Sequence, residues 1–328
     1  MHGSTAASGY RRTEQMTLTE RVKARAQELE FIACGITHPG PTAHADELDA
    51  WLKNGYAGTM RYLHRQANRR KDPGLIAPEA RSVVVVLDNY FTRDDESDLE
   101  APRIAKYARG EDYHRVTMDR LGTLAEFLKE NGARLARSYA DAGPVPEREL
   151  AQRAGLGWIG KNTMLVSPGI GSFFFIGSIF TDLDLDLDLS FELDRCGSCT
   201  RCIEACPTGA LLQPRLLDAT RCISYLTIEQ KGPIPEELAR EFRGYVFGCD
   251  ICNDVCPWNV RFASETAVPE FRATRPVVES DPDFFETMSE EEFTRRYDGS
   301  PLDRAGLEGM RRNYRAAFSD REPRLLPR

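Results

Sequence analysis

Eight of the nine cysteines in this 328-residue chain stand at spacings that can hold iron. Cys196, Cys199, Cys202 and Cys206, closed by Pro207, form a C-x2-C-x2-C-x3-C-P run, the ligand pattern of bacterial ferredoxins with 4Fe–4S clusters. Three thiolates two residues apart wrap one face of a cluster, and the fourth serves a second cluster. Cys249, Cys252, Cys256 and Pro257 repeat the latter half of the pattern. The missing first cysteine falls at Val246, which cannot ligate iron, and Cys222 is the spare nearby. Crossing the fourth ligands puts Cys196, Cys199, Cys202 and Cys256 on one cluster and Cys206, Cys222, Cys249 and Cys252 on the other. Structural zinc also uses C-x2-C pairs, but it needs only four ligands and explains neither the doubled set nor both prolines. The ninth, Cys34, closes the apolar stretch Phe31-Ile-Ala and reads as a small buried hydrophobe.

The elements that must position these thiols follow from periodicity. Apolar residues at helical spacing (Leu18, Val22, Ala26, Leu29) predict a helix from Leu18 toward Ile32, and Asp46 to Lys53 predicts a second ending at Gly55. A glycine-rich turn runs from Gly55 into a short helix. The run Ser82-Val-Val-Val-Val-Leu-Asp predicts a strand buried on both faces. Asp112 starts a helix reaching Asn131, stopped by Gly132, and Arg134 to Tyr139 returns as a strand. A helix from Glu149 leads to Gly155, and Ser172 to Phe180 is another buried strand. This alternation indicates an α/β (α+β) sandwich over residues 17–190. A ferredoxin-like two-cluster domain follows over 191–262, then a short helical C-terminal segment over 263–328, with short helices in 280–316. Asp182 to Asp188 alternates with leucine, as an edge strand or a linker would, without the glycine or spacing of a calcium loop.

Composition narrows the class. A hydrophobic share of 41% with 29% charged residues is that of an ordinary globular protein. No apolar run approaches the roughly 18 residues of a membrane span. Residues 1–16 are polar, reading as a disordered leader without a secretory signal, and no hydrophobic segment follows Arg11-Arg12 as a twin-arginine signal requires. Cluster-bound cysteines and the missing signal point to the cytoplasm, and nothing suggests an obligate oligomer. A net charge of −8 argues against a generic polyanion binder, although Arg61, Arg65, Arg69, Arg70 and Lys71 make a local basic run. Gly155, Gly157 and Gly160 imitate a dinucleotide fingerprint, but they follow a helical segment and lack the spaced acidic partner. Much more chain precedes the cysteine run than two clusters need, which favours a redox enzyme over a plain electron carrier.

Several ordered motifs resemble the epoxyqueuosine reductase family. They are Asp141-Ala-Gly-Pro-Val-Pro-Glu147-Arg, Ala154-Gly-Leu-Gly-Trp-Ile-Gly-Lys-Asn162, the first cysteine run, Arg221-Cys-Ile-Ser-Tyr-Leu-Thr-Ile-Glu-Gln-Lys-Gly, and Gly248-Cys-Asp-Ile-Cys-Asn-Asp-Val-Cys-Pro-Trp-Asn. A weaker echo lies at Ser300-Pro-Leu-Asp-Arg-Ala-Gly, and the resemblance runs from Leu18 to Asn259. It implies reduction of the epoxide of epoxyqueuosine, at the tRNA wobble position, to queuosine, with cobalamin and two 4Fe–4S clusters as cofactors. It also implies Asp141 as proton donor, which requires a carboxyl pKa raised by desolvation. Spacing alone allows Asp141 to be merely a turn residue before Gly143-Pro144. By resemblance, cobalamin is held by Arg70, Ala105, Asp141, Asn162, Leu165, Ile176, Ser224, Asp250 and Ile251, and tRNA is touched by Lys231. Asp112-Tyr-His114 half-matches a cobalamin D-x-H-x-x-G motif, with Thr117 in place of the glycine, so His114 is not expected to ligate cobalt. Arg311, Arg312 and Arg315 are further candidates for phosphate contacts. The rival readings are a cobalamin-dependent reductive dehalogenase, normally exported, and a bare two-cluster carrier, which holds no corrinoid. The electron donor is not legible.

Overall fold

A computed structural model describes residues 16–93, 102–272 and 283–318, so the leader expected at residues 1–16 lies almost wholly outside the described residues. The strand Ser82–Asn89 is the centre of the front half. All eight of its residues are buried, as the unbroken β-branched run predicts. It pairs antiparallel with Ala33–Thr37 on one side and Phe174–Thr181 on the other, and the latter also pairs antiparallel with Ala136–Ala140. Alternation sends successive side chains of this one strand into two separate cores. Val84 and Val86 face Val22, Leu121, Leu124 and Leu128 of the flanking helices. Val83, Val85 and Leu87 face Leu150, Ala151, Leu165 and Phe180. Each such side chain contributes about 1.5–3 kcal/mol of burial, so neither face of the strand can turn to water.

The helices begin and end where their sequence says they must. Leu18–Glu28 opens with a capping box in which Thr17 and Glu20 satisfy each other's backbone N–H groups. Tyr113–Glu130 is capped by the Asp112 carboxylate, which accepts from the His114 amide, and stops at Asn131 before Gly132. The helix expected from Glu149 starts two residues earlier, spanning Glu147–Arg153. The strand Ala33–Thr37 was not foreseen, because Ala-Cys-Gly-Ile-Thr carries no clear period and becomes a strand only by pairing. Cys34 lies on it, partly buried against the first core, where burial raises its thiol to about 12. Asp182–Asp188 forms no regular strand but straps the sheet. Asp182 accepts from the amides of Arg134 and Leu135, and Asp188 accepts from the Ile36 amide and Lys23.

The cysteine-bearing half is sewn to the front half along a polar seam. Its strand Tyr245–Phe247 pairs parallel with Arg103–Ile104 of the front half. Beside this, Asn162, Ser172, Asn253 and Asn259 are all buried and bond one another. Asn162 Nδ2 donates to Asn253 Oδ1 at 3.1 Å, the Ser172 amide donates to Asn259 Oδ1 at 2.6 Å, and Asn259 Nδ2 donates to Ser172 Oγ at 2.8 Å and to the Asn253 carbonyl at 2.9 Å. Gly171 (φ +95°) makes the approach possible, since a Cβ there would lie 2.3 Å from Asn259 Oδ1. The C-terminal helix Gly306–Phe318 closes the cysteine half. Its Asn313 Nδ2 donates to the carbonyls of Thr227 and Val246, and Leu307, Met310 and Tyr314 join Phe247 in one core. Among the described residues no helix is long and apolar enough to cross a membrane.

Removing a member of the seam leaves buried donors and acceptors unmatched, at a cost of about 1–3 kcal/mol. Asn259→Ala should therefore lower the melting temperature of the cluster-loaded protein by several degrees relative to an exposed Asn control such as Asn54→Ala. Calorimetry checks this, and equal melting points for the two variants would contradict the structural role of the seam.

Candidate active site

Five of the eight thiols, Cys202, Cys206, Cys222, Cys252 and Cys256, lie in or cap short helices. Cys202 lies in the helix Arg201–Ala205 and Cys206 caps its end, while Cys222 opens Ile223–Ile228 and Cys256 opens Pro257–Phe262. Val246 is fully buried in a strand. Within the folded chain Cys202 feels Cys196 and Cys256, and Cys256 feels Cys196 and Cys199. In the other neighbourhood Cys249 feels Cys252 and Cys222, and Cys222 feels Cys206. Burial pushes the thiols of Cys222, Cys249 and Cys252 upward, so a cationic iron core is what would stabilise them as thiolates. Two front-half residues reach these loops. Trp158 Nε1 donates to Cys196 Sγ at 3.4 Å, and the Lys161 ammonium donates to the carbonyls of Gly197 and Cys199 at 2.6 and 3.0 Å.

Asp141 follows the strand Ala136–Ala140 in the left-handed region (φ +56°), and its side chain stands exposed at the surface. The Glu147 carboxylate, at the start of the next helix, accepts the Asp141 amide at 2.6 Å. Arg70 braces the same loop by donating to the carbonyls of Gly143 and Val145, while its Nε is buried without a partner. Tyr113 donates its hydroxyl to Asp141 Oδ2, and His114 Nε2 lies 3.6 Å from the same oxygen. His114 Nδ1 is 2.8 Å from Asp112 Oδ1. The Tyr113 ring stacks on Phe175, with centroids 4.1 Å apart at 7°. Arg304, paired with Glu229, adds positive charge at the rim.

This arrangement overturns one expectation. Desolvation does push the Asp141 carboxyl up, but hydrogen bonds from His114 and Tyr113, together with the His114 and Arg304 charges, outweigh it and hold Asp141 below the usual carboxylate range. The proton sits elsewhere. Hydrogen bonds to Asp112 and Asp141 lift His114 to about 9, and burial lifts Glu147 to about 8. The Asp141 carboxylate is thus flanked by a His114 that holds its proton more tightly than usual and by a Glu147 whose burial disfavours its charge.

The remaining expected site residues are distributed around Asp141 and the thiols. Ala105 is buried, its amide donating to the Phe247 carbonyl beside Gly248. Asp250 is buried, accepts the Lys106 amide at 2.7 Å, and is pushed by burial to about 6. Ile251 and Ser224 are half-buried at helix starts. Leu165 and Ile176 belong to the second core, and Asn162 to the polar seam. Tyr107 is partly buried, its ring packed edge-on against Tyr113 and Phe175. Lys231 is exposed beside a cavity of about 370 Å³ lined by Ile228, Gln230, Ala305 and Arg312. The arginines considered for phosphate contacts are engaged within the protein. Arg312 donates to the carbonyls of Leu226, Gln230 and Gly232, Arg311 to those of Phe285 and Met288, and Arg315 pairs with Glu286. Tyr113, Glu147 and Arg304 were not singled out, although each stands inside a motif already noted.

Two family models cover the two halves. One, described as "Epoxyqueuosine reductase QueG, DUF1730", matches residues 70–142, and one described as a 4Fe-4S double cluster binding domain matches residues 195–259. The epoxyqueuosine reductase of Cyclobacterium marinum is 42% identical over 298 residues, covering 90% of this chain and 95% of that protein. The chain belongs to the epoxyqueuosine reductase family. The Escherichia coli K12 epoxyqueuosine reductase is 36% identical over 92% of this chain and 81% of its own length. An epoxyqueuosine reductase solved with an epoxyqueuosine-modified tRNA-Tyr stem loop superposes with a TM-score of 0.79 at 31% identity, over 92% of this chain and 81% of that one. The Bacillus subtilis epoxyqueuosine reductase, solved with its catalytic aspartate loop swung out of the active site, gives 0.77 at 30% identity over the same shares. As a family member, this chain is an oxidoreductase whose cysteine half binds two 4Fe–4S clusters.

The raised His114 pKa carries a pH dependence. A group whose folded pKa exceeds its unfolded value of 6.5 contributes stability that is full below that value and fades as pH rises through about 9. The melting-temperature difference between wild type and His114→Gln should thus be largest near pH 6 and shrink above pH 9 (roughly, from the linkage relation). A difference that does not change across that range would show that His114 carries no such bond.

Proposed function

We propose that this protein reduces the epoxide of epoxyqueuosine in tRNA to the alkene of queuosine. The observation that carries this reading is the joining, in one family fold, of a double-cluster half to a loop presenting Asp141. The reaction consumes two electrons and two protons, breaks both C–O bonds of the epoxide, and releases water. The solved relative bearing a modified tRNA stem loop supports tRNA as the substrate.

Cobalamin is the further cofactor we assign. Its site would draw on Arg70, Ala105, Asp141, Asn162, Leu165, Ile176, Ser224, Asp250 and Ile251. The buried, unpartnered Nε of Arg70 and the buried polar groups of Asn162 and Asp250 suit a ligand fringed with amides, while Leu165 and Ile176 offer an apolar surface. When bound, it supplies a low-potential metal centre able to deliver electrons to carbon. Both nitrogens of His114 face carboxylates, which supports the reading that this imidazole is not a cobalt ligand.

His114, which keeps its proton at neutral pH, is the proton store, and Asp141, its Oδ2 3.6 Å from His114 Nε2, relays that proton to the departing oxygen. Tyr113 fixes the orientation of the carboxylate. Glu147 holds the backbone turn that aims it. Lys231 at the rim is our candidate for a tRNA phosphate contact, aided by Arg304.

Losing a positioned acid costs about 100-fold or more. Asp141→Asn should therefore abolish turnover of an epoxyqueuosine-bearing stem loop in an anaerobic assay, with iron content, cobalamin retention and stem-loop affinity unchanged. Near-normal turnover by this variant would sink the assignment.

A further inference from the structure

The two cysteine sets are not equally accessible. The residues between the outer ligands, Gly197, Ser198, Thr200 and Arg201, are exposed, whereas the inner set is embedded among buried Ile223, Tyr225, Asp250 and Asn253. An electron arriving from solution therefore meets the Cys196 side first.

That side carries a face unlike the rest of the molecule. A continuous row of rings begins at Phe191, which stacks on Trp158 (5.7 Å, 28°). Trp158 meets Trp258 edge-on at 4.9 Å, and Trp258 stacks on Phe262 at 5.5 Å. Arginines cover both ends, Arg195 over Phe191 at 5.6 Å and Arg261 over Phe262 at 5.1 Å. The middle of the row is bonded to the outer ligand Cys196 through Trp158 Nε1. Leu193 (60% exposed) precedes Cys196 by three residues, and Val260 (73% exposed) stands one helical turn beyond Cys256. Arg195, Arg201 and Arg261 are exposed and form no ion pair among the described residues. The carboxylates nearest these residues in sequence are Glu192, Asp194, Glu204, Asp254, which pairs with Lys106, and Glu265, which lies against Arg93. Asp194 is neutralised by Arg215, and Glu204 is bonded to Thr200. Cations thus prevail here on a chain whose net charge is −8.

We propose that this face, Leu193 and Val260 within the rim of Arg195, Arg201 and Arg261, docks a small acidic one-electron carrier protein that reduces the outer cluster. The proposal rests on the two-cluster reading above. Each encounter moves one electron from the reduced carrier to the outer cluster, with no bond made and no proton transferred, and two encounters supply one epoxide. A small apolar centre inside a charged rim suits a transient redox complex, for which steering matters more than affinity. Nucleic acid would also seek arginines, but stacking a base requires an open ring face. Trp158 is only 2% exposed, and the strongly exposed apolar groups here are aliphatic.

The test uses cluster-loaded wild type, Arg195→Glu/Arg261→Glu, and the Arg195→Lys/Arg261→Lys control. An acidic flavodoxin and an acidic ferredoxin are titrated in turn by calorimetry at low and at physiological salt. The expected result is saturable, salt-weakened binding to wild type, about tenfold or more weaker binding to the glutamate variant, and recovery in the lysine variant. Dithionite reduction of the clusters and stem-loop affinity stay unchanged. The proposal is overturned if neither carrier binds wild type, if the charge reversal leaves carrier affinity intact, or if stem-loop affinity falls instead. Wild type that lacks about eight irons, or whose iron dithionite cannot reduce, would show that the two-cluster reading itself had failed.

Discussion

Electron delivery across two halves of a chain works only if the seam between them does not move, and here the seam is a set of buried amides. Asn162, Ser172, Asn253 and Asn259 satisfy one another away from water. A buried polar network is costly when half-made, so it selects one relative placement of the halves where an apolar interface could slide. Cys252 and Cys256 flank Asn253, and Cys256 lies three residues before Asn259. The residues that fix the seam are therefore interleaved with thiols from both sets. Pairing of Tyr245–Phe247 on Arg103–Ile104 adds the second point of attachment, next to Ala105 and Gly248.

Two different solutions to charge burial stand on either side of that seam. The thiols lie where burial makes thiolates unfavourable, and iron would supply the compensating charge. Asp141 is compensated from within the protein, by Tyr113, His114 and the distant Arg304. The consequence is a division of labour around Asp141. Asp141 keeps little proton of its own, and its neighbour His114 holds one more tightly than usual.

The chain showed its cysteine chemistry openly because cluster ligation imposes local spacing: four thiols stand together from Cys196 to Cys206 and three from Cys249 to Cys256. The central strand was equally legible, since only a strand buried on both faces tolerates four consecutive valines. The strand Ala33–Thr37 was hidden, since its register comes entirely from Val83 to Leu87. The state of Asp141 was hidden for a similar reason. Its controlling partners sit 27 and 28 residues earlier, on a helix that packs across the same sheet. The C-terminal arginines looked like a basic tail, because sequence shows charge but not the carbonyls that the folded chain turns toward it.

Those arginines change how the end of the chain is understood. Arg312 gathers the carbonyls of Leu226, Gln230 and Gly232, which lie on either side of Lys231 in sequence. A guanidinium holding three carbonyls fixes the backbone that presents Lys231, while the Lys231 ammonium itself remains exposed at the rim. Arg304 does the same from the preceding turn by pairing with Glu229. The C-terminal helix thus holds the loop that carries Lys231, through the Arg312 bonds to the carbonyls of Leu226, Gln230 and Gly232. A side chain on a loop held in this way loses less entropy when it is engaged than one on a loosely held loop would.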